Sequence, residues 1–409
     1  MPQNISVSSG DEPASAANSP ANKPAKRATF GGRSMFIFAA IGSAIGLGNI
    51  WRFPYISYDN GGGAFLFPYV IALLTAGVPV LILDYVLGHR FHGSAPLVWR
   101  RISRKTEAIG WVQTDITFII AVYYCVILAW AAMYTWFSLK LAWGQDPEKF
   151  FTGDFLHADT TSLTSANVVW PIAIVLALVW AAITAVMVLG VRKGTELLSS
   201  IFVPLLIIMF IILVIRALFL PGAAEGLEAF FTPQWGALLD PQVWIAAYGQ
   251  IFYSLAIAFG IMMTQASYLQ KRANLSGLGA VVSLSNSAFE VLAGIGVFAT
   301  LGFMAVTQHV AVADVATNGN GLAFIAFPMI INNMTGGPIF GVLFFGSLFI
   351  AGFTSLVTIV EVVLSSVQEK FGLSRCRAAV YVCVACAVPS LVFSPSRRAL
   401  PRWISSIIS

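Results

Sequence analysis

Long apolar runs, each near the roughly 20 residues that cross a bilayer as a helix, recur along this chain with short polar stretches between them. Nine spanning helices are predicted, at about 35–55, 63–88, 110–142, 168–190, 197–220, 242–269, 275–307, 338–368 and 376–394. The polar stretches carry the orientation. Lys23, Lys26, Arg27 and Arg33 precede the first run, and Arg90, Arg100, Arg101, Arg104 and Lys105 follow the second. Later even-numbered loops hold Arg192 with Lys193, Lys271 with Arg272, and Lys370 with Arg375 and Arg377. The odd-numbered loops are acidic, with Asp146, Glu148, Asp154 and Asp159, then Glu225, Glu228 and Asp240, then Asp314. Basic loops stay on the cytoplasmic side. The N-terminus is therefore expected in the cytoplasm, and the chain in the inner (plasma) membrane as a multi-pass protein.

Composition agrees with the runs. Hydrophobic residues make up 58% of 409 and charged residues 10%, with a mean hydropathy of +0.82. A soluble domain carries about 25% charged residues, so lipid has to cover this surface. The net charge of +5 comes without a basic patch interleaved with aromatics, which argues against a nucleic-acid partner. Cys125, Cys376, Cys383 and Cys386 sit in apolar runs, and the four histidines form no cluster. Residues 1–34 are rich in Ser, Ala, Asn and Pro and read as a disordered cytoplasmic tail, not a signal peptide.

Two of the predicted helices are unsuited to running straight through. The first contains Gly42, Gly46 and Gly48 within seven residues, each costing about 1 kcal/mol against Ala in a helix. The sixth contains the small and polar stretch Ser254 to Gly260. Interrupted helices at corresponding places in two halves point to a transport site at a repeat interface. Freed carbonyls there suit a hard cation and freed amides suit a carboxylate. Neutral oxygen ligands lie at the same depth in Asn49, Ser254, Asn286, Thr354 and Ser355, with no Asp or Glu near the breaks in sequence. A cation site of that kind suits a substrate that brings its own carboxylate. The competing reading is close packing by small residues and hydrogen bonds between helices.

The residues also resemble a known family. Gly46-Leu47-Gly48-Asn49-Ile50-Trp51-Arg52-Phe53-Pro54, followed by Asn60-Gly61-Gly62-Gly63-Ala64-Phe65, is similar to the first-helix signature of the neurotransmitter:sodium symporters. Gly249 to Leu255 resembles the sixth helix of that family, and Ala351-Gly352-Phe353-Thr354-Ser355 its eighth. Gly194 and Pro204, with nine residues between them, match a helix-unwinding motif of the fifth. The resemblance runs from about residue 27 to 394 and is nearest to the bacterial amino-acid-transporting branch. It implies an all-α transmembrane bundle of LeuT type with inverted five-helix repeats, the first at about 35–220 and the second at about 242–394.

What the resemblance implies for the site can be written residue by residue. One Na⁺ site would use the carbonyl of Ala44 with the side chains of Asn49, Ser254 and Asn286. A second would use carbonyls of Gly42, Ile45 and Ala351 with the hydroxyls of Thr354 and Ser355. The substrate carboxylate would meet the amides of Leu47 and Gly48 and the hydroxyl of Tyr124. The amino group would meet Ala44, Tyr253 and Ser254. The side chain would sit among Ser43, Ile120, Tyr124, Tyr253, Ala256, Phe259, Ser355 and Ile359, a mostly apolar wall suited to a neutral, hydrophobic or aromatic amino acid. Arg27 would pair with Glu369 to close the cytoplasmic side. Arg52 would close the outer side with an Asp of a tenth helix, helped by Gln250, Tyr124 and Phe259.

Glu290 is an ionisable residue at membrane depth, which is costly and marks function by default. The resemblance places it where chloride-dependent relatives carry a serine, so its charge is expected to replace chloride. The alternative is a buried acid paired with a hydroxyl. Family members have eleven or twelve helices, and this chain is expected to be cut short after nine, with its second repeat incomplete. Residues 395–409 carry Arg397, Arg398 and Arg402 on the wrong side and read as the product of a frame change just after Phe393. The resemblance thus implies a Na⁺-coupled amino-acid symporter. A second reading is a membrane protein that keeps the pocket without transporting. No Ser–Lys, Asp–Asp or His–Glu pair at helical spacing lies in the apolar runs, so an enzyme is not expected.

Overall fold

The computed structural model describes residues 29–156, 169–270, 272–312 and 322–393. Arg27, most of the predicted tail, and the anomalous stretch 395–409 lie outside the described residues. Fourteen helices organise the rest, and no strand occurs among the described residues. The first predicted span is two helices, α1 (Arg33–Ala44) and α2 (Leu47–Asp59), bent by 53° at the break. Ile45 and Gly46 between them are extended. The chain then runs through α3 (Gly63–Phe91), the surface helix α4 (Ala95–Ile102) and α5 (Arg104–Ser138).

The fourth and fifth predicted spans form one helical run of 49 residues, Trp170–Leu218. A straight helix of that size would be about 74 Å long, more than twice a bilayer core. It is a hairpin instead. Gly190 has φ 83°, a conformation open chiefly to glycine, and a side chain on Gly194 would strike the carbonyl of Val186. Residues eight apart can touch in that way only if the chain turns back. The run is therefore α6 (Trp170–Gly190), a π turn at Val191–Glu196, and α7 (Leu197–Leu218), which passes through Pro204 without unwinding.

A short helix, α8 (Ala223–Phe231), leads to the second interrupted helix. Its halves are α9 (Pro241–Ser254) and α10 (Ile261–Ala266). Asp240 caps α9 by accepting from the Gln242 amide at 2.9 Å. Leu255 to Gly260 stay non-helical, with Ala256, Ala258 and Gly260 at φ 51°, 66° and 77°. Two alanines in the left-handed region are costly and need outside support. The chain continues as α11 (Leu275–Gln308), α12 (Phe327–Asn332), α13 (Gly337–Phe371) and α14 (Arg375–Phe393).

Packing pairs the broken helices antiparallel: α1 lies against α10, and α2 against α9. This brings the two breaks to one level, as an inverted repeat requires. α5, α7 and α13 surround them, and α13 packs most extensively on α5. Residues 29–32 are not loose, although the sequence places them in the tail. Phe30 is 1% exposed, packs on Phe36 and Tyr268, and donates its amide to the Tyr268 carbonyl at 3.0 Å.

Candidate functional site

The break in the first span creates unpaired backbone groups, and the local sequence satisfies only some of them. Asn49 reaches back so that its Oδ1 accepts from the Gly46 amide at 2.9 Å, a cap on α2. The Leu47 amide donates to the Tyr124 hydroxyl of α5 at 3.1 Å. Glycine is required here by close approach. A Cβ on Gly46 would lie 2.9 Å from the Tyr124 hydroxyl oxygen, and one on Gly48 would run into the Tyr253 ring.

A cavity opens between the two breaks. Its walls include Ser43, Ala44, Leu47, Gly48, Ile120, Tyr124, Tyr253, Ser254, Ala256, Phe259, Ser355 and Ile359, all expected from the sequence, together with Gly46, Asn49 and Ile261. The helix-dipole ends aimed at it are complementary. α2 begins there, presenting amides and partial positive charge, while α1 and α9 end there, presenting carbonyls. One cavity can thus receive a carboxylate at one edge and an ammonium group at another.

Beside it the oxygen ligands converge. Asn49 Nδ2 donates to Asn286 Oδ1 at 2.9 Å, and Asn286 Nδ2 donates to the Ser254 hydroxyl at 3.1 Å. Residues from α2, α9 and α11 therefore meet at one point near the end of α1. A second group forms between α1 and α13. A Cβ on Gly42 would lie 3.6 Å from the Thr354 hydroxyl oxygen. The Ser355 hydroxyl donates to the Ser43 carbonyl at 3.4 Å, and that of Thr354 to the Ala351 carbonyl at 3.0 Å. Ile45 lies in the extended break next to this group.

Glu290 is fully buried behind the first group. Asn49 Nδ2 donates to its Oε1 at 3.3 Å, Gln250 Nε2 donates to the same oxygen at 2.6 Å, and the Tyr69 hydroxyl donates to Oε2. With that proton committed, the Tyr69 oxygen accepts from the Ser287 hydroxyl at 2.9 Å. Both the hydroxyl pairing and the place beside the expected cation ligands are therefore present. Arg52 donates to Gln250 Oε1 and stacks its guanidinium 4.9 Å over the Tyr253 ring. Gln250 thereby links the expected outer-gate arginine to Glu290. On the opposite side Glu369 accepts from the Ser94 amide at 2.8 Å and the Ser94 hydroxyl at 2.7 Å. Its expected partner Arg27 lies outside the described residues.

One expectation needs correcting. The sequence shows no acid near the breaks, yet folding brings two. Glu290 reaches Asn49, and Asp84 of α3 accepts from the Ala258 amide at 3.2 Å. Gln113 of α5 holds the other side of Ala258, donating to its carbonyl at 2.8 Å. These two side chains support the strained second break and were missed in the sequence. The available signal was Asp84 itself, an acid inside an apolar run. Glu361, likewise inside a run, pairs with both Arg375 guanidinium nitrogens at 2.7 and 2.6 Å and accepts from the Tyr268 hydroxyl at 2.6 Å.

Comparison with known proteins places this architecture. The model of the sodium:neurotransmitter symporter family matches residues 27–160 and 144–397. An uncharacterised sodium-dependent transporter of Methanocaldococcus jannaschii is 39% identical over 360 residues, covering 88% of this chain and 73% of the relative. The rat sodium- and chloride-dependent taurine transporter is 33% identical over 408 residues, covering 90% of this chain and 65% of its own. The chain thus spans just under two thirds of that relative's length. Among solved structures, MhsT in complex with L-phenylalanine aligns with a TM-score of 0.77 at 32% identity, covering 90% of this chain and 80% of that one. The chain belongs to the sodium:neurotransmitter symporter family.

Proposed function

We propose that this protein is a Na⁺-coupled symporter that imports a neutral, hydrophobic or aromatic amino acid by alternating access and without chloride. The observation that carries this reading is the meeting of two broken helices at one apolar-walled cavity, directly beside the Asn49–Asn286–Ser254 cluster. In this reading the substrate carboxylate takes the start of α2, displacing the Leu47-to-Tyr124 hydrogen bond into a shared one. The amino group takes the carbonyl ends of α1 and α9. Na⁺ binds among Asn49, Ser254, Asn286 and the Ala44 carbonyl, in contact with the substrate carboxylate, which couples the two ligands. A second Na⁺ takes Thr354, Ser355 and the carbonyls of Gly42, Ile45 and Ala351. Ile120, Phe259 and Ile359 leave the side-chain pocket apolar, and the solved relative holds L-phenylalanine.

Glu290 supplies a negative charge next to the proposed cation cluster, so that transport needs no chloride, in contrast to relatives named for their chloride dependence. Arg52 with Gln250 closes the outer side and Glu369 the inner side, with the N-terminus in the cytoplasm of a cell whose inner membrane holds the protein. Uptake of labelled neutral amino acids into proteoliposomes tests this. Accumulation driven by an inward Na⁺ gradient, and unchanged when gluconate replaces chloride, is the expected result. Uptake equal in Na⁺ and K⁺ would overturn it.

A further inference from the structure

A second cavity lies away from the substrate site, where the lead into α1 meets the loop between α10 and α11. Phe30, Gln270 and Leu278 form much of its wall, and the exposed Arg33 and Arg272 also line it, one from the start of α1 and one from the α10–α11 loop. Among the described residues no carboxylate lines it. Among the described residues neither arginine makes an ion pair. Glu196, on the neighbouring π turn, is instead engaged by the Gly31 amide at 2.9 Å. Two like charges facing one cavity repel each other unless an anion joins them. Guanidinium groups match the oxygens of phosphate in a forked, bidentate geometry. Both arginines lie where an apolar helix begins, the level of a lipid headgroup.

We propose that this cavity is a binding site for a phosphate-type anion, bridged between Arg33 and Arg272. The headgroup of an anionic phospholipid and free inorganic phosphate share this chemistry. Occupation would tie the start of α1 to the α10–α11 loop. In that place Phe30 already donates to Tyr268, and Gln270 donates to the Phe30 carbonyl at 3.2 Å. The anion therefore favours the docked lead segment. This reading places the cavity on the cytoplasmic side, as proposed above, but anion binding itself needs no transport.

The test is thermal unfolding of the purified chain in nanodiscs at constant ionic strength. One arm uses phosphatidylcholine alone with rising inorganic phosphate in exchange for chloride. The other replaces part of the phosphatidylcholine with phosphatidylglycerol. A ligand that binds only the native state raises the unfolding temperature. A rise in the first arm identifies a free-phosphate site, and a rise confined to the second identifies a lipid-headgroup site. In either case Arg33→Gln and Arg272→Gln each weaken the effect about tenfold, the scale of one charge-assisted hydrogen bond, and Arg104→Gln, outside the cavity, leaves it unchanged. Should a glutamine variant fail to fold, Arg272→Lys, which keeps charge but loses the fork, gives a partial loss. No rise in either arm overturns the proposal, as does a rise that survives Arg33→Gln with Arg272→Gln. Failure of transport with this pattern intact would count against the symporter reading alone.

Discussion

Asp84 accepts a hydrogen bond from the backbone amide of Ala258 at 3.2 Å, across 174 residues of sequence. Ala258 has φ 66°, which an alanine does not adopt without support. Gln113 takes its carbonyl, and Trp99 Nε1 in turn donates to Gln113 Oε1 at 3.0 Å. The break that lines the candidate cavity is thus held from outside, by α3 and α5. Asp84→Ala removes the acceptor of a part-buried amide, a cost of about 1 kcal/mol. We expect a lower unfolding temperature and an affinity loss of about tenfold, although no ligand-contacting group is removed. Asp84→Asn keeps an acceptor and is expected to be milder. Calorimetric titration and thermal unfolding of both variants check this, and an alanine variant indistinguishable from the parent would show the support to be unnecessary.

Gly48 sits where a side chain would meet the Tyr253 ring. Gly48→Ala is therefore expected to push that ring into the cavity and weaken substrate binding by at least about tenfold, with the fold retained, because overpacking costs about 1–3 kcal/mol. Far-ultraviolet circular dichroism together with ligand binding separates the two effects. Undiminished affinity would mean that Tyr253 is not a cavity wall in the bound state.

Glu290 is enclosed by Tyr69, Gln250 and Asn49. Those three side chains would be left as donors around an empty position in Glu290→Ser. Uptake by that variant is expected to become dependent on chloride, and uptake by the parent to be indifferent to it. Measuring transport against chloride at constant ionic strength decides the matter. A serine variant that stays chloride-independent would remove the charge-replacement role from Glu290.

Phe30 packs at 1% exposure between Phe36 and Tyr268. Phe30→Ala is expected to loosen the lead into α1 by about 3 kcal/mol. Amide hydrogen exchange at residues 29–36 should then accelerate about a hundredfold, while the core of α5 exchanges as before. Unchanged exchange would mean that the hydrogen bond to the Tyr268 carbonyl alone holds the segment.

Much of the site was readable in the sequence because its parts are local. The glycines at 42, 46 and 48 announce a break, and Asn49 lies one turn beyond it. The same holds for Thr354 and Ser355, adjacent residues on one helix. Contacts between distant helices were not readable. Asp84 looks like any acid in an apolar run until folding sets it against Ala258. Phe30 looked like part of a polar tail because its partners Phe36, Tyr268 and Gln270 lie partly in another helix pair. Nine spans are predicted, whereas six helices among the described residues, or seven with the bent pair α1–α2, are long and apolar enough to cross a membrane; the hairpin at Gly190 and the six-residue α10 depend on backbone geometry that hydropathy does not register.

The central claim is that Na⁺ and a neutral amino acid bind together at the two breaks. Its most direct test is binding of a panel of neutral amino acids to the purified chain, with Na⁺ or K⁺ as the only cation. The account expects saturable binding of a hydrophobic or aromatic member in Na⁺, absent in K⁺ and lost in Asn49→Ala and Ser254→Ala. Binding that is equal in both salts, or that survives both substitutions, would contradict it.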